Sequence, residues 1–328
     1  MPRPIQRIAI IGFGEVGGIF GNDFAKQGMA VSVFDILLAS RHHRERMLSK
    51  AQICGVKAED CMRDCLRDAE LVISAVTASA AVDVAKEAEP ILRLGQVYLD
   101  INSVSPEAKR KAAGHVARSA AHFVEAAVMA AVPGQRLKVP MLSGGAHAAE
   151  AAARLRSTGM NATALSQEIG VASAVKMCRS IMVKGLEALA VECLFAARRY
   201  GSEDVVLESL SSTYPGMGWE HHLPDYLISR VAEHGQRRAA ELREVAQALH
   251  DVGVEPTMAL AAAQRQEQLV CEMAEGNLGF EALKPFSWRS LADAVVSIRG
   301  KSKKSSPRSR QPSPKQARLR KQAAKLAG

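Results

Sequence analysis

The residues best suited to chemistry stand on one stretch, Val171 to Tyr200, which contains no proline and only Gly185 as a glycine. Its periodicity predicts a long helix. Lys176 and Ser180 are four residues apart, and Arg179, Lys184 and Glu187 fall on the same broad face. Burial of a lysine beside another positive group lowers its pKa, which makes it a general acid/base. The guanidinium of Arg179, one turn on, can hold a carboxylate through two parallel hydrogen bonds. On a solvated helix the same residues would do neither, so their meaning depends on what the rest of the chain brings to them.

A partner for such a shuttle is encoded near the other end. Ile8-Ala9-Ile10-Ile11 is a short apolar run, as in a strand buried on both faces of a parallel sheet. It leads into Gly12-Phe13-Gly14-Glu15-Val16-Gly17, which fits G-x-G-x-x-G. A helix then runs to Gln27, Gly28 stops it, and Ala30 to Phe34 form a second strand ending in Asp35. Gly12 permits a tight turn, Gly14 lets a pyrophosphate approach the backbone, and Gly17 lets the helix pack on the strand. The N–H groups of the first helical turn face the phosphates. Asp35 lies 21 residues after Gly14, the distance at which an acidic residue accepts hydrogen bonds from an adenosine ribose. The expected dinucleotide contacts are Gly12, Phe13, Gly14, Glu15, Val16, Gly17 and Asp35, with Val76 and Thr77 where the next buried strand, from Leu71, ends. Glu15 must point to solvent. Asp35 favours NAD over NADP, because its charge repels a 2′-phosphate, while Arg41 keeps NADP open.

The elements around these residues alternate. Strands are expected at 71–76, 96–101, 122–125, 139–142 and near Thr163, separated by helices, which describes an α/β, doubly wound Rossmann sheet over residues 1–166. From about Gln167 the pattern becomes helical throughout. Residues 167–299 form an all-α substrate and dimerisation domain, with an interrupting loop at 212–224 that holds Trp219, His221 and His222; a packed loop is the favoured reading of these three and a lid the alternative. Residues 300–328 read as a disordered basic tail, since serine, proline, lysine and arginine leave no apolar periodicity.

The net charge of +9 resembles a nucleic-acid signal until it is located. Ten Lys or Arg and no acid lie between Lys301 and Gly328, so removing them from +9 leaves the remainder near −1. A nucleic acid is therefore expected to engage only the tail, if any part. No apolar run is long enough to span a membrane, and the chain enters a strand too early for a signal peptide, which together point to the cytoplasm and reduced thiols. The six cysteines include Cys61-x-x-x-Cys65 with Cys54 nearby, but no spacing completes a zinc site, and no metal is expected.

Three blocks resemble the β-hydroxyacid dehydrogenase superfamily, with its 6-phosphogluconate and 3-hydroxyisobutyrate dehydrogenases: GFGEVGG near the N-terminus, DINSVSP at 100–106 and IGVASAVKMCRS at 169–180. The second block is similar to a D-x-S-T-x-x-P substrate loop, which implies that Asn102 and Ser103 hold the substrate. The third is similar to a G-x-x-x-K-x-x-N-N helix, which places the general acid/base on Lys176. The two asparagines of that pattern are replaced by Arg179 and Ser180, both expected at the substrate. The family's D-A-P-V-S-G-G block corresponds to Glu125-Ala126-Ala127-Val128-Met129-Ala130-Ala131, without its serine and glycines. Residues 200–280, with HGQRRAAE at 234–241, resemble the helical C-terminal domain of a poorly characterised branch; His234, Arg237 and Arg238 are candidates there for anion contacts or for salt bridges. The resemblance implies an NAD(P)-dependent oxidoreductase acting on a small hydroxy acid, as a homodimer. An imine reductase on the same scaffold and a non-catalytic dinucleotide sensor are the alternatives.

Overall fold

A computed structural model describes residues 4–305, with side chains to Arg299. Eight strands form one sheet: β1 (Arg7–Ile11), β2 (Ala30–Phe34), β3 (Lys57–Ala58), β4 (Leu71–Ser74), β5 (Val97–Asp100), β6 (His122–Val128), β7 (Pro140–Gly144) and β8 (Asn161–Ser166). Their order is β3-β2-β1-β4-β5-β6-β7-β8. Every neighbouring pair is parallel except β6 and β7, which are antiparallel. The order reverses between β1 and β4, and the carboxyl ends of strands at such a switch point form the crevice in which this architecture binds ligands.

Helices α1 (Glu15–Lys26), α2 (Arg41–Cys54), α3 (Met62–Leu66), α4 (Ala81–Ala88), α5 (Pro106–Val116), α6 (Val132–Gln135) and α7 (Ala148–Ser157) connect the strands. They cover both faces of the sheet. On one side Ile8, Ile10, Phe20, Phe24, Val33, Leu71 and Leu99 make a core, and on the other Ala9, Ile11, Leu66, Val72, Tyr98 and Phe123 make a second. The unbroken apolar run of β1 has this cause: alternate residues enter opposite cores, and both are apolar. The doubly wound α/β sheet is thus the one expected. β3 was not expected, and two residues of Lys57-Ala58 carry no periodicity by which to find it.

Helices α8 (Val171–Tyr200), α9 (Glu203–Thr213), α10 (Leu223–His250), α11 (Thr257–Glu275) and α12 (Trp288–Ser305) follow. The chain divides into two compact units, one up to Gly185 together with Ala240–Ala261, the other Leu186–Ala239 together with the residues from Ala262. The division falls inside α8, whereas the expected border lies at its start. The difference is the first half of α8, where Met177 and Ile181 pack with Val245, Ala246 and Ala259 in the first unit.

The second unit has its own core around Leu194, Ile228, Val231, Leu269, Trp288 and Leu291. Trp219 belongs to this core at 5% exposure, so its ring serves packing, while His221 and His222 are exposed. Arg238 pairs at 2.6 Å with Glu187, which is fully buried and also accepts from Gln266 Nε2 at 3.3 Å. α12 continues to Ser305, into the segment assigned to the tail; residues 306–328 lie outside the described residues. Among the described residues, no helix is long and apolar enough to cross a membrane.

Candidate functional site

The turn after β1 leaves no choice of residue at two positions. Gly12 has φ +93°, and a Cβ there would lie 2.4 Å from the Ala75 carbonyl oxygen. A Cβ on Gly17 would lie 2.1 Å from the Gly12 oxygen. Gly14 is different: nothing lies within 4 Å of where its Cβ would be, and it is exposed. Open space there suits the approach of a group from outside the protein. Gly14 is the N-cap of α1 and no side chain caps that helix, so its first-turn N–H groups remain available to an anion. Glu15 is exposed.

Asp35 closes the turn from the side. Its Oδ2 accepts from the Phe13 N–H at 2.7 Å and its Oδ1 from the Leu37 N–H at 2.9 Å. The carboxylate is thereby fixed at the end of β2, half-buried, with lone pairs left for a ribose.

Asn102 joins the next two strand ends. Its Oδ1 accepts from the Val76 N–H at 2.8 Å, and its Nδ2 donates to Ser74 Oγ at 2.9 Å. Asn102 is 5% exposed, while Ser103 and Thr77 are exposed. Beneath this loop lies an ion pair, Lys109 Nζ to Asp100 Oδ1 at 3.0 Å, with both side chains 1% exposed. Lys109 also donates to the Asp100 carbonyl, and Asp100 Oδ1 accepts from the Asn102 N–H at 2.9 Å. The strand-end loop is therefore rigid at its base and presents Ser103 at its surface.

The helix that carries Lys176 is anchored to the same sheet. Glu125, in β6, is fully buried; its Oε1 accepts from the N–H groups of Gly170 at 2.7 Å and Ala172 at 3.1 Å, and its Oε2 from Ser173 Oγ at 3.0 Å. A carboxylate meeting the open N–H groups at a helix start is the favourable polarity. Gly170, at φ +103°, passes so close to α5 that a Cβ would lie 3.2 Å from the Cβ of Pro106. α8 thus starts against the end of the 100–106 loop. Lys176 follows half-buried about 7.5 Å along the helix from Val171 at 1.5 Å per residue, Arg179 is exposed and Ser180 half-buried. Lys184 is turned to another task, an ion pair at 2.7 Å with Glu241.

Sequence patterns did not single out Lys50. Its Nζ donates to the carbonyl oxygens of Phe13 at 2.6 Å and Gly14 at 2.7 Å, and lies 4.5 Å from the centre of the Phe13 ring. Burial moves its pKa down. Nor did they assign a part to Glu125 or Lys109, whose partners lie on other elements. Burial pushes the Cys65 thiol up to about 12, which makes it a poor nucleophile. Among the described residues no three metal-ligating side chains come together.

Residues 7–165 match the NAD binding domain of 6-phosphogluconate dehydrogenase, and residues 197–269 match DUF1932, a domain of unknown function. A conserved hypothetical protein from Sinorhizobium meliloti 1021 of known structure is 34% identical, with 89% of this chain and 96% of that one covered and a TM-score of 0.75. A second solved structure, of a conserved protein of unknown function described as similar to 3-hydroxyacid dehydrogenases, is 32% identical, with 80% and 97% covered and a TM-score of 0.67. The 3-hydroxyisobutyrate dehydrogenase of Pseudomonas aeruginosa is 26% identical over 304 residues, which is 88% of this chain and 93% of that one.

Proposed function

Because the chain belongs to the β-hydroxyacid dehydrogenase superfamily, with a dinucleotide-binding domain of the 6-phosphogluconate dehydrogenase kind, we propose that it is an NAD(P)-dependent oxidoreductase acting on a small hydroxy acid. The observation that carries this reading is the seating of α8. Glu125 and Gly170 fix the start of that helix against the 100–106 loop, so the one lysine expected to move a proton rides on a helix anchored beside the strand ends where the dinucleotide sites lie.

The nicotinamide, when bound, supplies or accepts the hydride. The protein's part is position and one proton. The uncapped start of α1 receives the pyrophosphate, and Asp35 receives the adenosine ribose, which favours NAD. Val76 and Thr77 border the same cleft. Lys176 takes the substrate hydroxyl proton during oxidation and returns it during reduction. Ser103 orients the substrate from the loop surface. Asn102 holds that loop to Ser74 and Val76, which makes it a weaker direct ligand than the motif alone implies. Arg179, with Ser180 beside it, pairs with the substrate carboxylate.

The test is turnover with NAD and with NADP across a panel of hydroxy acids, comparing the wild type with Lys176→Ala. The expected result is activity in the wild type, and its loss in the variant with cofactor affinity retained. Equal turnover in both proteins contradicts the assignment of Lys176, and no turnover with either cofactor contradicts the activity.

A further inference from the structure

We infer that Lys50 is a positioning residue for the dinucleotide's pyrophosphate, setting the two peptide groups whose N–H groups form the floor of the phosphate site. The inference rests on the dinucleotide reading above and adds to it a residue outside the glycine motif.

A trans peptide group is planar, with its C=O and N–H pointing in opposite directions, so whatever fixes the oxygen also aims the N–H. The Phe13 carbonyl shares its peptide group with the Gly14 N–H, and the Gly14 carbonyl shares its own with the Glu15 N–H. Lys50 Nζ donates to both oxygens, at 2.6 and 2.7 Å. The peptide group before them is held by Asp35, which accepts from the Phe13 N–H at 2.7 Å. Three consecutive peptide groups of a turn built around two glycines are thus pinned from outside, two of them by one ammonium. A hydrogen bond to the oxygen of a peptide group also polarises its N–H, which strengthens it as a donor to an anion.

The chain makes room for this arrangement. Gly18 follows the three motif glycines, and a Cβ there would lie 2.8 Å from Lys50 Cε and 2.9 Å from Nζ. The Phe13 ring flanks the ammonium on another side, at 4.5 Å. Gly18 lies inside α1, where glycine costs helix stability relative to alanine. Without a Cβ, Gly18 leaves that space to the end of the Lys50 side chain, which a Cβ there would displace.

The charged groups that act on Lys50 are Asp35 from the end of β2, Glu15 from α1, and Arg46 and Cys54 from its own helix α2. Burial is the largest influence and lowers its pKa. As pH rises through that lowered value the ammonium loses its charge, and cofactor affinity falls.

The experiment measures dissociation constants of NADH, NADPH and ADP-ribose for the full chain, its Lys50→Met and its Gly18→Ala variants, from about pH 7 to about pH 10. All three ligands carry the pyrophosphate. Loss of two charge-assisted hydrogen bonds behind the site is expected to weaken each by about tenfold at neutral pH in Lys50→Met. The wild type is expected to lose part of its advantage over Lys50→Met as pH rises, because the neutral amine keeps its N–H donors but not their charge; comparison with that variant cancels any contribution from the Cys54 thiol. Gly18→Ala is expected to raise helix stability while lowering affinity, two effects of opposite sign that a purely structural role of the pair does not give. This variant decides the matter if Lys50→Met does not fold. Unchanged affinity in both variants overturns the inference, as does a loss confined to NADPH, which would place Lys50 on the 2′-phosphate. A wild type that binds none of the three overturns the dinucleotide reading itself, an outcome distinct from normal wild-type binding with no effect of the variants.

Discussion

Glu125 shows how much of the site rests on single side chains. A fully buried carboxylate serves two backbone N–H groups and one hydroxyl at the start of α8. Glu125→Ala leaves those donors buried without their acceptor, and each such group costs about 1–3 kcal/mol. The expected outcome is a markedly lower melting temperature, measured by calorimetry, with Glu125→Gln milder because its amide oxygen still accepts. At Lys176 the expectation is the reverse: Lys176→Ala melts near the wild type and loses about 10²–10⁴-fold in kcat, the usual worth of a positioned acid/base, with cofactor dissociation constants unchanged. Lys176, Arg179 and Asp35 are candidates because motif spacing points to them. Glu125 was visible only as a departure from the family block, and its partners stand 45 to 48 residues away. Lys50 is 36 and 37 residues from the two oxygens it binds. No local pattern encodes such pairs, because the fold alone brings them together.

At the scale of elements, the glycine turn and the strands were readable because sterics and burial act within a few residues. Gly12 and Gly17 tolerate no Cβ against Ala75 and the turn's own backbone. Gly12→Ala is therefore expected to abolish dinucleotide binding in a fluorescence titration, and unimpaired binding would show that the turn can shift. The 100–106 loop was recognised as a motif, but its buried support was not, since Lys109 looks like any exposed helical lysine. The Asp100–Lys109 pair makes a sharper forecast. Lys109→Met leaves a carboxylate buried without its cation, a change that costs about 3–5 kcal/mol. Lys109→Met combined with Asp100→Asn is expected to regain much of that loss in chemical denaturation, and a double variant no more stable than the single one would argue against the pair as the cause. The short strand β3 escaped sequence reading because two residues carry no period, whereas the packed loop favoured over a lid at Trp219 is what the core shows.

At the scale of the molecule, the basic character and the fold are separable. Of the ten cations from Lys301 onward, seven lie in residues 306–328, so deleting that segment reduces the formal net charge from +9 to about +2. Retention on heparin is expected to fall sharply in the truncated chain while its turnover stays the same; retention that does not change would move the basic surface into the fold. The α/β unit and the helical remainder were both foreseen. The point of division was not, because α8 runs on through it, and only the packing of Met177 and Ile181 on Val245, Ala246 and Ala259 shows which residues the first unit claims.

The most direct measurement follows the hydride itself. The protein is given reduced cofactor carrying deuterium at the transferable position, with a panel of oxo acids, and the products are read by mass spectrometry. The expected result is deuterium on the new hydroxyl-bearing carbon of at least one product with the wild type, and its near absence with Lys176→Ala. Cofactor bound by the wild type, with no deuterium in any product, would contradict the assignment of the chain as a hydroxy-acid oxidoreductase.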